Sequence, residues 1–133
     1  MFKASQNAKA ISNDLGLLLF RLAAGGLILL HGTPKLFNFS ARWHKFSDPI
    51  GLGSEVSFIL CVFAEFFCAV FLLAGAFTRL ALIPLIINMV VIVFVSHGTD
   101  PISKKETAIF FLIAYIALFL TGPGKYSLDE ARR

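Results

Sequence analysis

The sequence predicts an all-α, polytopic membrane protein, a bundle of four transmembrane helices, on three observations. Of its 133 residues, 57% are hydrophobic and only 15% are charged, whereas a soluble domain carries about a quarter charged residues. Its mean hydropathy is +0.80. The apolar residues gather into four runs divided by Gly, Pro and charged residues. A soluble chain this short would expose much of that apolar surface to water. Lipid is therefore the expected solvent for its outer faces.

The first two runs, 15–36 and 56–75, approach the roughly 20 residues that cross a hydrocarbon core. The third and fourth, 79–97 and 106–121, are shorter. Flanking Arg79 and Glu106 are expected to extend them to the headgroup level. Gly32 and Pro34 are expected to stop the first helix, and Gly51 and Gly53 to precede the second. Gly75 with Thr78 and Arg79 predicts a tight turn into the third. Gly98 and Pro101 end that helix, and Gly122-Pro123-Gly124 ends the fourth. Pro84 is expected to kink the third helix without ending it. The longest connection, 37–55, mixes Phe37, Phe39, Trp43 and Phe46 with Arg42, His44 and Lys45, as residues at a membrane interface do. The polar start with Lys3 and Lys9 resembles the head of a signal peptide. The run behind it is too long and carries Arg21, so it reads as a retained span. The whole chain, 1–133, reads as one membrane domain.

The net charge of +4 does not predict a nucleic-acid partner, because no basic block is present. The cations sit between the apolar runs, where anionic lipid headgroups meet them. Four crossings place Lys3, Lys9, Arg79, Lys125, Arg132 and Arg133 on the side of the termini. Lys35, Arg42, Lys45, Lys104 and Lys105 fall on the other, a balance too even for charge to set the orientation. Cys61 and Cys68 are separated by about 10 Å of helical rise. That is too far for a disulfide, and both read as small buried hydrophobes.

Charges deep in hydrocarbon cost roughly 2.5–3.5 kcal/mol each on the insertion scale, so Arg21 and Glu65 stand out. Counted from the side of the termini, Arg21 and Tyr115 lie about 9 Å deep, and Glu65 and Asn88 about 14 Å. These four residues come from four helices and fall in one layer. A buried Arg21–Glu65 pair is predicted, with Asn88 and Tyr115 as hydrogen-bond partners. Such a layer serves either as glue between helices or as a site for binding or proton handling.

A second layer, about 25 Å deep, holds His31 and His97. Lys35, Asp100, Lys104 and Glu106 lie close to them in sequence. The helix dipole alone favours a cationic histidine at a helix C-terminus. The alternative is a polar pocket at the mouth of the bundle, where histidine exchanges protons near neutral pH. Two histidines at one depth also raise haem or metal ligation. No CxxCH, HExxH or paired ExxH motif accompanies them, so no metal site is predicted. The triplets His31-Gly32-Thr33 and His97-Gly98-Thr99 echo each other, which suggests two helical hairpins related by an axis along the membrane normal.

Together these pieces make the sequence resemble the DoxX family of small bacterial and archaeal membrane proteins. The matching residues are Arg21 with Ala23, Ala24, Gly25 and Gly26, then His31-Gly32-Thr33-Pro34-Lys35. Ala64-Glu65, Gly75 and Thr78-Arg79 follow, with His97-Gly98-Thr99-Asp100-Pro101 and Lys105-Glu106. Gly122-Pro123-Gly124-Lys125-Tyr126-Ser127-Leu128-Asp129 completes the set. The resemblance implies four transmembrane helices in a bacterial inner membrane, and the termini are expected in the cytoplasm. One departure is that Phe66, Phe67 and Cys68 follow Glu65, where small residues are common in the family. That puts close packing there in question.

The resemblance also implies a link to quinol or quinone oxidoreductase subunits and to membrane complexes that counter oxidative stress. The expected function is a membrane subunit of quinone-linked electron transfer. Its candidate proton- and quinone-handling residues are Arg21, Glu65, Asn88, Tyr115, His31 and His97. Lys35, Asp100, Lys104 and Glu106 form the candidate polar site at the mouth. The residues fix no cofactor; quinone or quinol is the candidate the resemblance implies, and haem or metal is not expected. Partner redox proteins, a homo-oligomer and the lipid bilayer are the expected partners. The rival readings are a non-enzymatic scaffold for redox or stress proteins, and a small solute or proton transporter.

Overall fold

The computed structural model describes residues 11–46, 48–96 and 98–132, without the side chain of Lys104. The protein is an all-α membrane bundle. Four long helices dominate: α1 (Asn13–Phe37), α2 (Ser54–Ala74), α3 (Thr78–Ser96) and α4 (Ile102–Thr121). The first three are each long and apolar enough to cross a bilayer. The fourth has 20 residues and carries Lys104, Lys105 and Glu106 near its start. Successive helices run antiparallel. The strongest packing joins α1 to α2, α2 to α3 and α3 to α4, while a lighter seam between α4 and α1 closes the ring.

The core is drawn from all four helices: Ala24 and Ile28, then Ala64, Cys68, Ala69 and Leu72, then Leu82, Leu85 and Met89, then Phe111, Tyr115 and Leu118. The outward residues are as apolar as the inward ones; Leu19, Leu30, Leu80, Phe94, Phe110, Ile113 and Leu120 are all exposed. A helix apolar all round is the form expected of a membrane span. Cys61 and Cys68 are buried free thiols, as their spacing predicts.

The predicted stop at Gly32 and Pro34 is corrected: α1 runs through both to Phe37. Its ladder resumes at once, with Asn38 donating to the Pro34 carbonyl at 3.0 Å. Thr33 Oγ1 donates to the Leu29 carbonyl at 2.9 Å. The carbonyl that Pro34 leaves unserved is that of Leu30, and the Thr33 bond braces the turn beside it. Gly32 is a packing residue, not a stop. A Cβ there would lie 2.3 Å from the Glu65 carbonyl oxygen and 2.9 Å from the Phe66 nitrogen. Glycine is thus what lets the α1 and α2 backbones touch. This also answers the question raised by Phe66 and Phe67. Close approach at Glu65 is supplied from α1, while Phe67 points out, exposed.

Between α1 and α2, short helical turns at Phe39–Arg42 and Trp43–Lys45 lie against the start of α2. Phe39 and Phe46 pack on Phe58 with ring centroids 5.2 and 5.1 Å apart. Asp48 accepts from Gly53 N and from Ser57 Oγ, both at 3.0 Å, and so fixes the entrance to α2.

At the opposite end, Gly75 takes a left-handed conformation (φ 69°) and ends α2. Phe77 then adopts φ 48° just ahead of α3, an unfavourable conformation for a bulky residue. Asp129, from beyond α4, holds this corner. Its carboxylate accepts from Phe77 N at 2.7 Å, Thr78 N at 2.8 Å and Thr78 Oγ1 at 2.6 Å. It therefore caps α3 from a distant part of the chain, where no local side chain does so.

Burial raises the Asp129 pKa, but the hydrogen bonds from Thr78 and Phe77 and the nearby Arg132 outweigh it, and the net shift is downward. The stabilisation is therefore present above the ordinary carboxylate value of about 3.9 and is lost as the pH falls through the lower folded value. Asp129→Asn should cost about 1 kcal/mol at neutral pH, as loss of a helix cap does. The parent's melting temperature in detergent should fall on acidification below about pH 4, and the variant's should fall less. Parallel acid profiles for the two proteins would contradict this role.

Candidate functional site

The buried polar residues form two separate groups. Arg21 and Glu65 are both 2% exposed, yet they do not pair. Arg21 spreads its guanidinium over three carbonyl oxygens: Pro123 at 2.6 Å, Tyr126 at 2.7 Å and Leu73 at 3.3 Å. It ties the start of the bundle to the segment after α4. Gly75 lies against this group, since a Cβ there would meet Ser127 and the Arg21 guanidinium. Asp14 accepts from Lys125 N at 3.0 Å and fastens the same segment.

Glu65 instead pairs with Lys35, with Nζ 2.6 Å from Oε1. Its other oxygen accepts from Asn88 Nδ2 at 3.0 Å and from the Cys61 thiol at 3.3 Å. Lys35 Nζ also lies 3.5 Å from Cys61 Sγ. Three helices thus meet on one carboxylate. The α2 backbone makes room by a π-helical stretch over Phe63–Cys68. The wider turn carries both Ala64 and Glu65 inward, each 2% exposed. Such stretches recur at functional sites.

The predicted Arg21–Glu65 pair fails because the helices are staggered. Depths counted from the helix ends take α1 and α2 to finish level. Contacts place Arg21 beside Leu73, Gly25 beside Ala69 and Gly32 beside Glu65. The first turns of α1 therefore run past the end of α2, alongside Gly124 and Lys125. The stagger lowers Glu65 to the level of Gly32, within reach of the Lys35 side chain.

Asn88 joins Glu65 as expected. Tyr115 does not supply the predicted bond: it is fully buried against Phe111, ring centroids 5.8 Å apart, and its hydroxyl has no hydrogen-bond partner among the described residues. Its ring is held in the core, away from the Glu65 carboxylate's hydrogen bonds.

The expected mouth site is divided. Lys35 turns inward to Glu65, and His31 lines a cavity beside it. Asp100 is partly exposed. Glu106 is exposed at the start of α4 and borders a different cavity, between α1 and α4. His97 and the side chain of Lys104 lie outside the described residues. Lys105, not singled out from sequence as a site residue, donates to the Val93 carbonyl at 3.3 Å, in the π-helical end of α3. Cys61, expected only as a small buried hydrophobe, belongs to the cluster too, and its i, i+4 spacing to Glu65 is the sequence signal for it.

Two cavities meet at Lys35 and Ile92. A lateral one of about 540 Å³ lies between α2 and α3 beneath Phe46, Pro49 and Ile50, and includes Lys35, Cys61 and Asn88. An inner one of about 300 Å³ is lined by His31, Lys35, Glu65, Met89, Lys105 and Ala108, among others. Among the described residues, no three His, Cys, Asp or Glu side chains gather as a metal site.

The DoxX family model matches residues 16–98, a stretch that takes in all but the first three residues of α1, and α2 and α3 whole. No curated protein and no solved structure matches the chain.

Proposed function

We propose, for a chain that belongs to the DoxX family, that it serves as a membrane subunit of quinone-linked redox chemistry and that Lys35, Cys61, Glu65 and Asn88 are its working site. The observation that carries this reading is the lateral cavity. Its 540 Å³ falls in the range of small-molecule pockets, about 300–1,000 Å³. Its lining is mostly apolar, with Phe46, Leu60, Phe63, Pro84 and Ile87, and the Lys35–Cys61–Asn88 group borders it. That is the chemistry a lipid-soluble quinone calls for: a greasy slot with a few placed hydrogen-bond donors.

The residues fit such a ring. Lys35 has three N–H bonds and Asn88 two. Their bonds to Glu65 and Cys61 leave each with a donor for a carbonyl oxygen. Glu65 is the group that holds or yields a proton beside that oxygen. A bound quinone supplies the electron chemistry. The chain orients it, keeps water from the slot and holds the Glu65 carboxylate behind the Lys35 and Asn88 donors that line its polar end. We place the chain in the bacterial inner membrane with cytoplasmic termini, acting with partner redox proteins or with copies of itself. All four long helices cross the bilayer in this reading.

The sole tryptophan, Trp43, lies three residues before Phe46 of the cavity and reports on it. Titrating the purified protein in detergent with decylubiquinone should quench Trp43 emission saturably. Glu65→Gln should weaken that binding about tenfold, the equivalent of about 1.4 kcal/mol. No saturable quenching, with no quinone retained on purification, would overturn the proposal. Scaffold and transporter readings predict that outcome.

A further inference from the structure

We infer that the inner cavity is an aqueous vestibule through which protons reach Glu65 from the face opposite the termini, while the lateral cavity is reserved for lipid-soluble ligand. The inference rests on Glu65 as the working carboxylate and adds the side from which it is served. Lys35 and Ile92 line both cavities and Glu65 lines the inner one, so Lys35, with Ile92 beside it, stands as the partition in front of Glu65.

The two spaces differ in chemistry. Apart from Lys35 and Asn88, the Cys61 thiol and the hydroxyls of Ser57 and Ser96, the lateral cavity is walled by aliphatic and aromatic side chains. The inner one gathers His31 and Lys35 from α1, Glu65 from α2, and Lys105 and Thr107 from α4. From α3, Met89 and Ile92 face it. The titratable groups facing this space among the described residues are therefore His31, Lys35, Glu65 and Lys105. Ordered water needs room and two to four polar partners. A space of about 300 Å³ with these groups offers both.

Direction follows from the helix ends. His31 is exposed near the C-terminus of α1, and Lys105 and Thr107 sit in the first turns of α4. Both ends lie away from the chain termini. Toward the termini the path is shut. The fully buried residues Leu72, Leu82, Tyr115 and Leu118 fill the core there, and Arg21 holds the last segment across the end. Histidine at the mouth of such a space is suited to passing protons between water and a buried acid.

The test is reaction with a charged, membrane-impermeant methanethiosulfonate. Ala108→Cys and Met89→Cys chains are placed in vesicles of fixed orientation, and adducts are counted by mass against the parent chain, whose native thiols set the background. Both variants should gain one adduct when reagent is added on the side opposite the termini, and at least tenfold more slowly from the other side. Adding His31→Trp to Met89→Cys should slow labelling at least tenfold by closing the mouth. Ile87→Cys, in the lateral cavity, should react with a lipid-soluble maleimide and resist the charged reagent. Absent labelling at both inner positions in folded protein, equal rates from the two sides, or indifference to His31→Trp would each overturn the vestibule. The decylubiquinone titration is independent. Labelling without quinone binding would remove the proposed ligand alone, and binding without labelling would remove the vestibule alone.

Discussion

Lys35→Met should destabilise the protein by about 3 kcal/mol, and a second change, Glu65→Gln, should restore most of the loss. Breaking a buried ion pair from one side costs about 3–5 kcal/mol, because the remaining charge is left without a partner. The lower end applies here. The Lys35 side chain is 23% exposed, while that of Glu65 is 3% exposed, so water near Lys35 relieves part of the cost. Asn88 and the Cys61 thiol would still donate to Glu65, but neither is a cation. In the double variant the glutamine amide is neutral and keeps an acceptor for Asn88. Thermal melting in one detergent, for parent, both single variants and the double, gives the coupling directly. Additive losses in the cycle would mean that the 2.6 Å contact contributes no net pairing.

Arg21→Leu should loosen the opposite end of the bundle by about 3 kcal/mol or more. Hydrogen bonds from a charged donor contribute about 1.5–3 kcal/mol each, and Arg21 makes three. Leucine fills part of the volume but leaves the Pro123, Tyr126 and Leu73 carbonyls without this donor. The effect should be local as well as global. The segment from Gly122 to Arg132 should become sensitive to protease before α1–α4 unfold, since it would then be held mainly by Asp14, Asp129 and the Arg132–Phe77 contact. Quinone binding at the Glu65 cluster should persist in folded protein, because Arg21 does not touch that cluster. A variant that loses decylubiquinone binding while keeping its melting temperature would join Arg21 to the working site after all.

The two groups explain why a single polar layer was a reasonable expectation and still wrong. Arg21 and Glu65 are both legible as costly intramembrane charges, and both are buried. Their partners are a matter of stagger between α1 and α2. That stagger depends on Gly32 sitting against the Glu65 backbone and on a π-helical turn that has no marker in the hydropathy. Arg21 found backbone carbonyls in a segment distant by about a hundred residues, which no spacing rule addresses.

Much of the architecture needed no tertiary information. Apolar run length and the scarcity of charge determine an all-α membrane bundle, because backbone polar groups in lipid must be satisfied within each helix. The helix boundaries near Gly75 and Gly122 follow from residues that tolerate positive φ. The burial of Arg21, Glu65 and Tyr115 follows from the cost of exposing polar groups to lipid. Tertiary structure alone decided which buried group meets which. Lys35 rather than Arg21 neutralises Glu65, Asp129 caps α3 from beyond α4, and α1 continues past Gly32 and Pro34. The first two depend on groups distant in sequence coming within about 3 Å, the range of a hydrogen bond; the third shows in the backbone ladder that resumes after Pro34. One turn of helix is about 5.4 Å, so a stagger of a single turn is enough to exchange one partner for another.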